Sequence, residues 1–261
     1  LGINVNLVCA YGDDHFSRVL LDNCNMRNIN LSRSLSLTNS HLSTYLSILD
    51  PNGEMYLAVN NTNIINQITP DYLNSFIHKI NTSSIVVIDC NLSERAIDFI
   101  SKNAKPKIFV DGVSVEKVKK ISNYLDYVHT IHININEAIS LLTALGFSNI
   151  SVSSSPKMIC DKLSQYGVNT ILLTLGERGV YFHTNMMDGL FPAKKCARVV
   201  NSNGAGDAFF SGYVFAIYNN FSELNAIEIA LQCAKINLES EKTVSDKISI
   251  DNIFINLSFG R

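Results

Sequence analysis

The chain has 261 residues, of which 46% are hydrophobic and 17% charged, and its formal net charge is −2. These values predict a sizeable buried core and exclude wholesale disorder. The chain has no run of lysine or arginine that would indicate a nucleic-acid surface. No apolar stretch approaches the roughly 20 residues of a membrane span. We therefore expect a small-molecule substrate, and neither nucleic acid nor membrane as a partner.

The first patterned segment is a pair of strands, residues 43–49 and 54–59, with alternating apolar and polar side chains. They flank residues 50–53, Asp-Pro-Asn-Gly, a sequence typical of a tight reversal. The alternation predicts that one face of the pair meets solvent or ligand. We therefore expect a small antiparallel hairpin at about residues 35–62, which either decorates the protein or closes as a lid over a cleft.

The rest of the chain alternates between apolar segments of strand length and amphipathic segments of helix length. The expected strands are residues 85–89, 107–111, 127–133, 170–175 and, returning antiparallel, 179–183. The expected helices begin at Thr69-Pro70 and after Ser93, and cover residues 114–124, 136–145, 204–218 and 222–239. This order predicts an α/β fold with a mainly parallel sheet and helical crossovers.

Two short patterns lie where parallel strands are expected to end. Asn134 and Glu137 are three residues apart at the start of a helix, so their side chains share a face and suit Mg²⁺ bound through water. Thr174, Gly176 and Gly179 follow a buried strand at the edge where open α/β sheets bind ligands. The alternative for the first pattern is that Asn134 caps the helix and Glu137 is a first-turn acid. The alternative for the second pattern is that its glycines only form a turn.

A loop of small residues precedes the helix that begins near residue 204. Residues 201–207 read Asn-Ser-Asn-Gly-Ala-Gly-Asp. The amides of Gly204, Ala205 and Gly206 can point together at the positive end of the helix, which attracts phosphate. Asp207 lies beside that point, where a base takes the proton of an attacking hydroxyl. The alternative is an ordinary glycine turn with an acid that complements the helix dipole.

The six cysteines are widely scattered and form no C-x-x-C pair, which argues against a zinc site. Their apolar neighbours indicate buried, reduced thiols. Residues 1–5 contain neither a basic segment nor the apolar run of a signal peptide, so we expect a cytoplasmic protein.

In order along the chain, these segments resemble the ribokinase-like (PfkB) carbohydrate kinase family. Residues 201–207 are similar to its signature D-T-x-G-A-G-D, with Asn201 in place of the leading Asp. Residues 174–179 resemble its T-x-G-x-x-G turn, and residues 134–137 resemble its N-x-x-E motif. The resemblance implies a three-layer α/β/α sandwich with a mainly parallel central sheet and a small antiparallel β lid, as one domain over residues 1–261.

The resemblance also implies a reaction, the ATP-dependent phosphorylation of a sugar hydroxyl with Mg²⁺ as cofactor; a role for K⁺ is left open. Asp207 would be the base, and Gly204, Ala205 and Gly206 would hold the phosphoryl group. The residues implied in binding the nucleotide are Asn134, Glu137, Thr174, Gly176, Gly179 and Asn201, with Glu137 also contacting the metal through water.

Four further segments resemble the subgroup that phosphorylates pseudouridine at O5′: residues 43–50, 58–61, 89–92 and 109–114. Through this likeness Thr44, Asn60, Asn91, Asp111 and Asp207 are expected to contact the substrate. Ribose, fructose and other nucleosides are alternative substrates, and a non-catalytic sugar or nucleotide sensor is an alternative function. The lid is also a candidate surface for a homodimer.

One departure from the family concerns the start of the chain. Family members begin with a strand that carries a substrate-binding Asp, followed by a Gly-Gly…Asn loop and a helix that ends in Leu-Gly. The chain opens with Leu1-Gly2, which resembles that final pair. We therefore expect about forty N-terminal residues of the family pattern, with several sugar contacts, to be missing from this sequence.

Overall fold

The structure, a computed structural model, describes residues 1–49, 55–255 and 257. Its residue contacts divide the chain into two compact units. The first unit comprises residues 2–81 and 91–103, and the second comprises residue 1 with residues 82–90 and 104–261. The turn sequence at residues 50–53, on which the hairpin prediction depends, lies outside the described residues.

The first unit begins with two short parallel strands, β1 (Ala10–Tyr11) and β2 (Leu35–Ser36). Between them lies α1 (His15–Met26), which the sequence patterns above do not predict. The helix begins at Asp14, whose carboxylate accepts the N–H of Ser17 at 3.0 Å and so satisfies one of the free amides of the first turn.

The predicted hairpin is present in the first unit as a separate two-stranded antiparallel sheet, β3 (Thr44–Leu49) and β4 (Met55–Asn61). Four large apolar side chains of this ribbon are 45 to 62% exposed: Tyr45, Leu46, Ile48 and Val59. Side chains exposed on both faces agree with a hairpin that stands outside the main sheet.

A 3₁₀ helix (Asn63–Gln67) and three short α-helices follow in the first unit: α2 (Pro70–Asn74), α3 (Ile77–Ile80) and α4 (Glu94–Asn103). As predicted, α2 starts with proline at its first position, and the hydroxyl of Thr69 accepts the N–H of Tyr72 at 3.2 Å. The predicted cap of α4 is also confirmed, because the hydroxyl of Ser93 accepts the N–H of Ala96 at 3.3 Å.

The second unit contains a six-stranded sheet with the spatial order β10-β9-β8-β7-β6-β5. Its strands are β5 (Ile85–Asp89), β6 (Lys107–Asp111), β7 (Val128–Asn134), β8 (Thr170–Thr174), β9 (Val180–Thr184) and β10 (Asp188–Phe191). The first four strands are parallel, and β9 pairs antiparallel with both β8 and β10, so β9 runs against the other five. The predicted mainly parallel sheet is confirmed, with strand bounds that differ from the expected ones by at most one residue.

The helices of this unit are α5 (Ile135–Ala144), α6 (Pro156–Ser164), α7 (Ala205–Tyr218), α8 (Glu223–Leu238) and α9 (Ile250–Phe254). Helices α7 and α8 pack closely, since a side chain at Gly212 would lie 2.7 Å from the sulfur of Cys233. No helix in the described part of the chain is long and apolar enough to cross a membrane.

The helix expected at residues 114–124 is the clearest correction to the predicted elements. The chain instead forms a 3₁₀ helix at Val118–Tyr127 after a turn that starts at Ser114. The buried side chains of this segment include Val118 and Ile121, which are three residues apart and therefore stack on one side of a three-residue turn. Both are β-branched, which also lowers the preference for an α-helix.

The cysteines are all free. Four are buried as expected, Cys24, Cys90, Cys160 and Cys233, whereas Cys9 and Cys196 are only partly buried. Burial raises the pKa of Cys90 and of Cys233 to about 12. These two thiols therefore stay neutral and unreactive at ordinary pH.

The sheet of the second unit brings polar side chains together at one edge. In the strand register Asp89 lies beside Asp111, Asp111 beside His132, and Asn134 beside Thr174. All five lie at or near the carboxyl ends of β5 to β8, the edge at which open parallel sheets bind ligands. The candidate site is therefore built on this edge and on the start of α7.

Candidate active site

Gly204 fixes the entry into α7. Its φ is +78°, and a Cβ atom there would lie 2.3 Å from the carbonyl oxygen of Thr243. Only glycine fits this position, because the left-handed backbone and the close approach of residue 243 both exclude a side chain. The first amide that bonds into the helix is that of Ala208, which donates to the Gly204 oxygen at 2.9 Å.

Backbone donors are left open at this helix start. No side chain caps α7. Within the described chain the amides of Gly204, Gly206 and Asp207 have no acceptor, whereas the amide of Ala205 donates to the oxygen of Ser202 at 3.4 Å. The open donors therefore partly differ from the set expected from the sequence, since Asp207 contributes its amide and Ala205 turns towards its own loop. Free amides at the positive end of a 14-residue helix form an anion site.

Two asparagines brace the loop in front of α7. The side chain of Asn201 accepts the N–H of Asn203 at 2.9 Å and donates to the oxygen of Glu241 at 3.2 Å. Asn237, only 1% exposed, donates to the oxygen of Asn203 at 3.0 Å and accepts the N–H of Ser245 at 3.3 Å. The side chain of Asn201 thus holds the loop, and its contact with a nucleotide stays a prediction. Sequence reasoning missed Asn237, because α8 also contains the amides of Asn225 and Gln232 and no sequence signal distinguishes Asn237 from them.

Asp207 lies in the first turn of α7, and its carboxylate has no hydrogen-bond partner among the described residues. The residue as a whole is exposed, but partial burial of the carboxyl raises its pKa above the usual range. The negative charges of Asp111 and Asp89 raise the pKa further, and His132 opposes them. A carboxylate with a raised pKa and a free lone pair is suited to accept a proton.

The structure also places the imidazole of His132 at this site, a residue for which sequence reasoning found only a weak indication of a phosphate contact. His132 Nδ1 lies 2.8 Å from the carboxylate of Asp111 on the neighbouring strand. The ring of His132 packs against the rings of Phe209 and Phe210, with centroids 5.6 and 5.2 Å apart. A histidine inside an apolar strand has no sequence signal beyond its position two residues before Asn134.

Asn134 and Glu137 form a capping box at the start of α5. The Glu137 carboxylate accepts the N–H and the side-chain amide of Asn134 at 3.0 and 2.7 Å. Glu137 is 6% exposed, and its burial raises the pKa of the carboxyl. The cap that the sequence left as an alternative is therefore present. No group of three metal-binding side chains occurs among the described residues, so a contact with Mg²⁺ through water stays a prediction.

The turn after β8 contains two glycines with different surroundings. Gly176 has a φ of +61° and is exposed, and apart from its chain neighbours no atom of the described residues lies within 4 Å of the position of a Cβ. Gly179 is buried with a φ of +96°, and a Cβ there would lie 2.0 Å from the oxygen of Phe191. Gly179 is therefore required by the fold, and Gly176 is open to a ligand. The hydroxyl of Thr174 donates to the oxygen of Ile133 at 3.3 Å, which ties β8 to β7.

The residues expected to contact the substrate are divided between the units. Thr44, Asn60 and Asn91 belong to the first unit, and Asp111 and Asp207 to the second, so their grouping around one substrate stays a prediction. The register of the ribbon pairs Thr44 with Asn61 and Tyr45 with Asn60. Directly opposed residues share a face, so Thr44 and Asn60 leave the ribbon on opposite faces. The ribbon thus presents one of them, not both, to a given ligand.

Solved structures share this fold. The chain matches a ribokinase of Arabidopsis thaliana, solved in complex with ribose and ATP, with a TM-score of 0.82 at 16% identity, covering 98% of this chain and 83% of that one. A nucleoside kinase of Burkholderia thailandensis, in complex with inosine, matches with a TM-score of 0.80 at 14% identity over 97% and 79% of the two chains. The fold class is therefore ribokinase-like α/β, as the sequence predicts.

Sequence comparison identifies the family. Residues 1–249 match the family described as pfkB family carbohydrate kinase. The chain is 32% identical over 256 residues to the pseudouridine kinase of Escherichia coli, which covers 97% of this chain and 80% of that protein. The chain belongs to the PfkB family, and it is a sugar or nucleoside kinase. The resemblance predicted from three short motifs is confirmed.

Proposed function

We propose that this kinase transfers the γ-phosphoryl group of ATP to the 5′-hydroxyl of pseudouridine. The observation that carries the transfer chemistry is the anion site at the start of α7 with the carboxylate of Asp207 beside it. The substrate is supported by the 32% identity to the pseudouridine kinase of Escherichia coli, with 23% identity to the pseudouridine kinase of Arabidopsis thaliana.

In this mechanism Asp207 accepts the proton of the 5′-hydroxyl as that oxygen attacks the γ-phosphorus. The new P–O bond forms while the bond to the β-phosphate oxygen breaks, and ADP leaves with those electrons. The open amides of Gly204, Gly206 and Asp207 donate to the oxygens of the phosphoryl group in transit. The raised pKa makes the Asp207 carboxylate a better proton acceptor than that of an ordinary aspartate.

On the nucleotide side, Gly176 is the residue best suited to a close approach of ATP, because its surroundings are open. We assign further nucleotide contacts to Thr174 and Asn134 at the strand ends and to Asn201 in the loop before α7. The adenosine would lie between the 174–179 turn and α8 near residues 230–234. Glu137 would hold Mg²⁺ through water, since each of its oxygens accepts one hydrogen bond and keeps a free lone pair. When bound, the ion offsets phosphate charge.

On the substrate side, we assign sugar and base contacts to Asp111 and Asn91 and to either Thr44 or Asn60 of the ribbon. The β3–β4 ribbon would act as a lid that excludes water during transfer. Its exposed apolar side chains also support a homodimer through the ribbon, because a two-stranded sheet is marginally stable alone and a second copy would cover it.

The experiment is a phosphorylation screen of the purified protein with ATP and Mg²⁺ against pseudouridine, uridine, ribose and fructose. We expect pseudouridine to give the highest kcat/KM, and ³¹P–¹H NMR of the product to locate the phosphate at O5′. Higher kcat/KM with ribose, fructose or uridine would contradict the proposed substrate. ATP binding without turnover on any acceptor would contradict the kinase mechanism and favour a sensor.

A further inference from the structure

The buried side chain of Asn237 joins the two segments that enclose Gly204. Asn237 lies near the carboxyl end of α8 and is 1% exposed. Its side-chain nitrogen donates to the oxygen of Asn203 at 3.0 Å, and its side-chain oxygen accepts the N–H of Ser245 at 3.3 Å. A buried amide that uses both its donor and its acceptor holds one orientation, because a rotation would leave buried polar atoms unpaired.

Both partners of Asn237 lie next to the contact that requires glycine at position 204. Asn203 directly precedes Gly204. Ser245 lies two residues after Thr243, whose oxygen would be 2.3 Å from a Cβ at Gly204. The backbone on each side of this contact is therefore tied to the same side chain, and the gap between the two segments depends on it.

The bond to Asn203 acts directly on one donor of the anion site. The oxygen of Asn203 and the N–H of Gly204 belong to the same peptide group, which is planar and trans, so the two point in opposite directions. Asn237 holds the oxygen, and the N–H of Gly204 is thereby turned away from it. Among the described residues this N–H has no acceptor, so it is one of the open donors.

The rest of the loop is held without Asn237. The N–H groups of Val200 and Asn201 donate to the oxygen of Leu238 at 2.8 and 3.3 Å. The side chain of Asn201 accepts the N–H of Asn203 at 2.9 Å. A replacement of the side chain at position 237 leaves these bonds available, so its effect should be confined to the peptide group that carries the open donor.

We propose that Asn237 is a positioning residue of the anion site, which fixes the peptide group between Asn203 and Gly204 and so aims the N–H of Gly204 at a phosphate oxygen of ATP. The proposal rests on the kinase function proposed above. It adds to the site a residue that lies behind the loop and acts through it. Donors that are aimed before the ligand arrives stabilise its charge without reorganisation, so a change behind the loop alters phosphate binding.

Asn237→Leu tests this role, because leucine has the same branched shape but neither donor nor acceptor. We expect the affinity for ATP to fall roughly 10-fold, the worth of one hydrogen bond to a charged group. The affinity for adenosine, which has no phosphate, should change by less than about twofold. Calorimetric titration measures both. Asn225→Leu is the control, the same exchange in the first turn of α8, and it should alter neither affinity.

The difference between the two ligands separates positioning from a structural role. An equal loss for ATP and adenosine in folded Asn237→Leu, or no loss for ATP, would contradict the proposal. Failure of the substrate screen by a protein that binds ATP would instead contradict the kinase function alone. Absence of ATP binding by the unaltered protein would overturn both.

Asn237→Asp covers the case in which Asn237→Leu does not fold. The ionised carboxylate still accepts the N–H of Ser245 but cannot donate to the oxygen of Asn203. Burial raises the pKa of the introduced carboxyl, and its protonated form donates to that oxygen again. Relative to the unaltered protein at the same pH, kcat/KM for ATP should therefore be roughly 10-fold lower at about pH 8 and recover towards about pH 5.

Asn225→Asp is the matched control for this series, and its kcat/KM relative to the unaltered protein should not depend on pH. A ratio for folded Asn237→Asp that stays constant with pH, or that falls on acidification, would overturn the proposal.

Discussion

The loop before α7 and the turn after β8 each contain two glycines, and in each the two glycines have opposite surroundings. Gly204 and Gly179 press against backbone, with virtual Cβ atoms 2.3 Å from the oxygen of Thr243 and 2.0 Å from that of Phe191. Gly206 and Gly176 are exposed. Among the described residues beyond the local chain, a Cβ at Gly206 would meet the ring of His132 alone, and a Cβ at Gly176 would meet no atom within 4 Å.

The order of the two roles is reversed between the motifs. In the loop before α7 the first glycine serves the fold and the second is open, while in the turn after β8 the first is open and the second serves the fold. The motif patterns assign all four glycines to ligand binding. The comparison shows that a glycine in a phosphate motif has at least two separate reasons to be glycine, and that only the three-dimensional neighbours distinguish them.

The largest effect is expected at Asp207, the residue that follows the open glycine of α7. Asp207→Asn keeps the size and most hydrogen bonding but removes the basic lone pair, so we expect kcat to fall by roughly 10²- to 10⁴-fold. ATP affinity should hold or rise, because a negative charge beside the phosphates is lost. Steady-state kinetics and ATP titration check this.

Glu223→Gln is the matched control for that variant, because Glu223 is a first-turn acid on α8 outside the candidate site. It should leave kcat unchanged within about twofold. Near-normal turnover of Asp207→Asn in folded protein would refute the proposed mechanism. Gly206 would then not lie next to a catalytic residue.

The next largest effect separates the buried glycine from the open one in the turn after β8. We expect Gly179→Ala to lower the free energy of unfolding by about 3 kcal/mol or more, since the left-handed backbone and the overlap with residue 191 both oppose a side chain. Gly176→Ala should lose only about 1–2 kcal/mol, the cost of the backbone conformation alone. Urea denaturation measures both, and equal losses would contradict the division of roles.

The sequence predicted the sheet well because buried parallel strands are continuous apolar runs that end in polar residues. Residues 107–111 were placed without error on this basis. Residues 85–89 were also placed without error, although β5 is an edge strand whose Val87 is 50% exposed. The helix α1 was missed, since its exposed apolar residues Phe16, Val19 and Met26 blur the usual apolar stripe. The 3₁₀ segment was mistaken for an α-helix because both patterns place apolar residues three apart.

For the candidate site, the sequence identified the groups that lie in motifs but gave no sign of the contacts that form across the fold. Asp207 and the loop glycines were predicted because they are contiguous. His132 pairs with Asp111, 21 residues away, and Asn237 braces Asn203, 34 residues away. No local pattern encodes such contacts, because strand register and helix packing create them.

A smaller effect tests the open glycine of α7. Gly206→Val places a branched side chain in the space between the open amides and His132, so ATP affinity should fall roughly 10- to 100-fold. The affinity of Gly206→Ala should fall less, and its stability should change little, because its Cβ would lie 3.3 Å from His132 Cε1 and this tight contact offsets the gain in helix propensity. Calorimetric titration of ATP together with thermal unfolding measures both properties. Unchanged ATP affinity in the folded valine variant would show that the phosphates of ATP do not bind at this loop.

The smallest effect concerns the pH dependence of stability at the same helix start. Burial, reinforced by the charges of Asp111 and Asp89, raises the pKa of Asp207 in the folded protein. The folded state therefore binds this proton more readily than the unfolded state, so ionised Asp207 costs stability at neutral pH. That cost fades as pH falls through the raised pKa and is absent below the ordinary aspartate value of about 3.9.

Asp207→Asn should accordingly be more stable than the unaltered protein at pH 7, and the difference should shrink as the pH falls towards about 4. Gly206→Ala is the control, because it carries no ionisable group and its stability difference should not depend on pH. If Asp207 served only to complement the helix dipole, its removal would instead cost about 0.3–1 kcal/mol at pH 7. Melting temperatures of the three proteins across pH 4–7 distinguish the two, because the sign of the difference at pH 7 is opposite in each case.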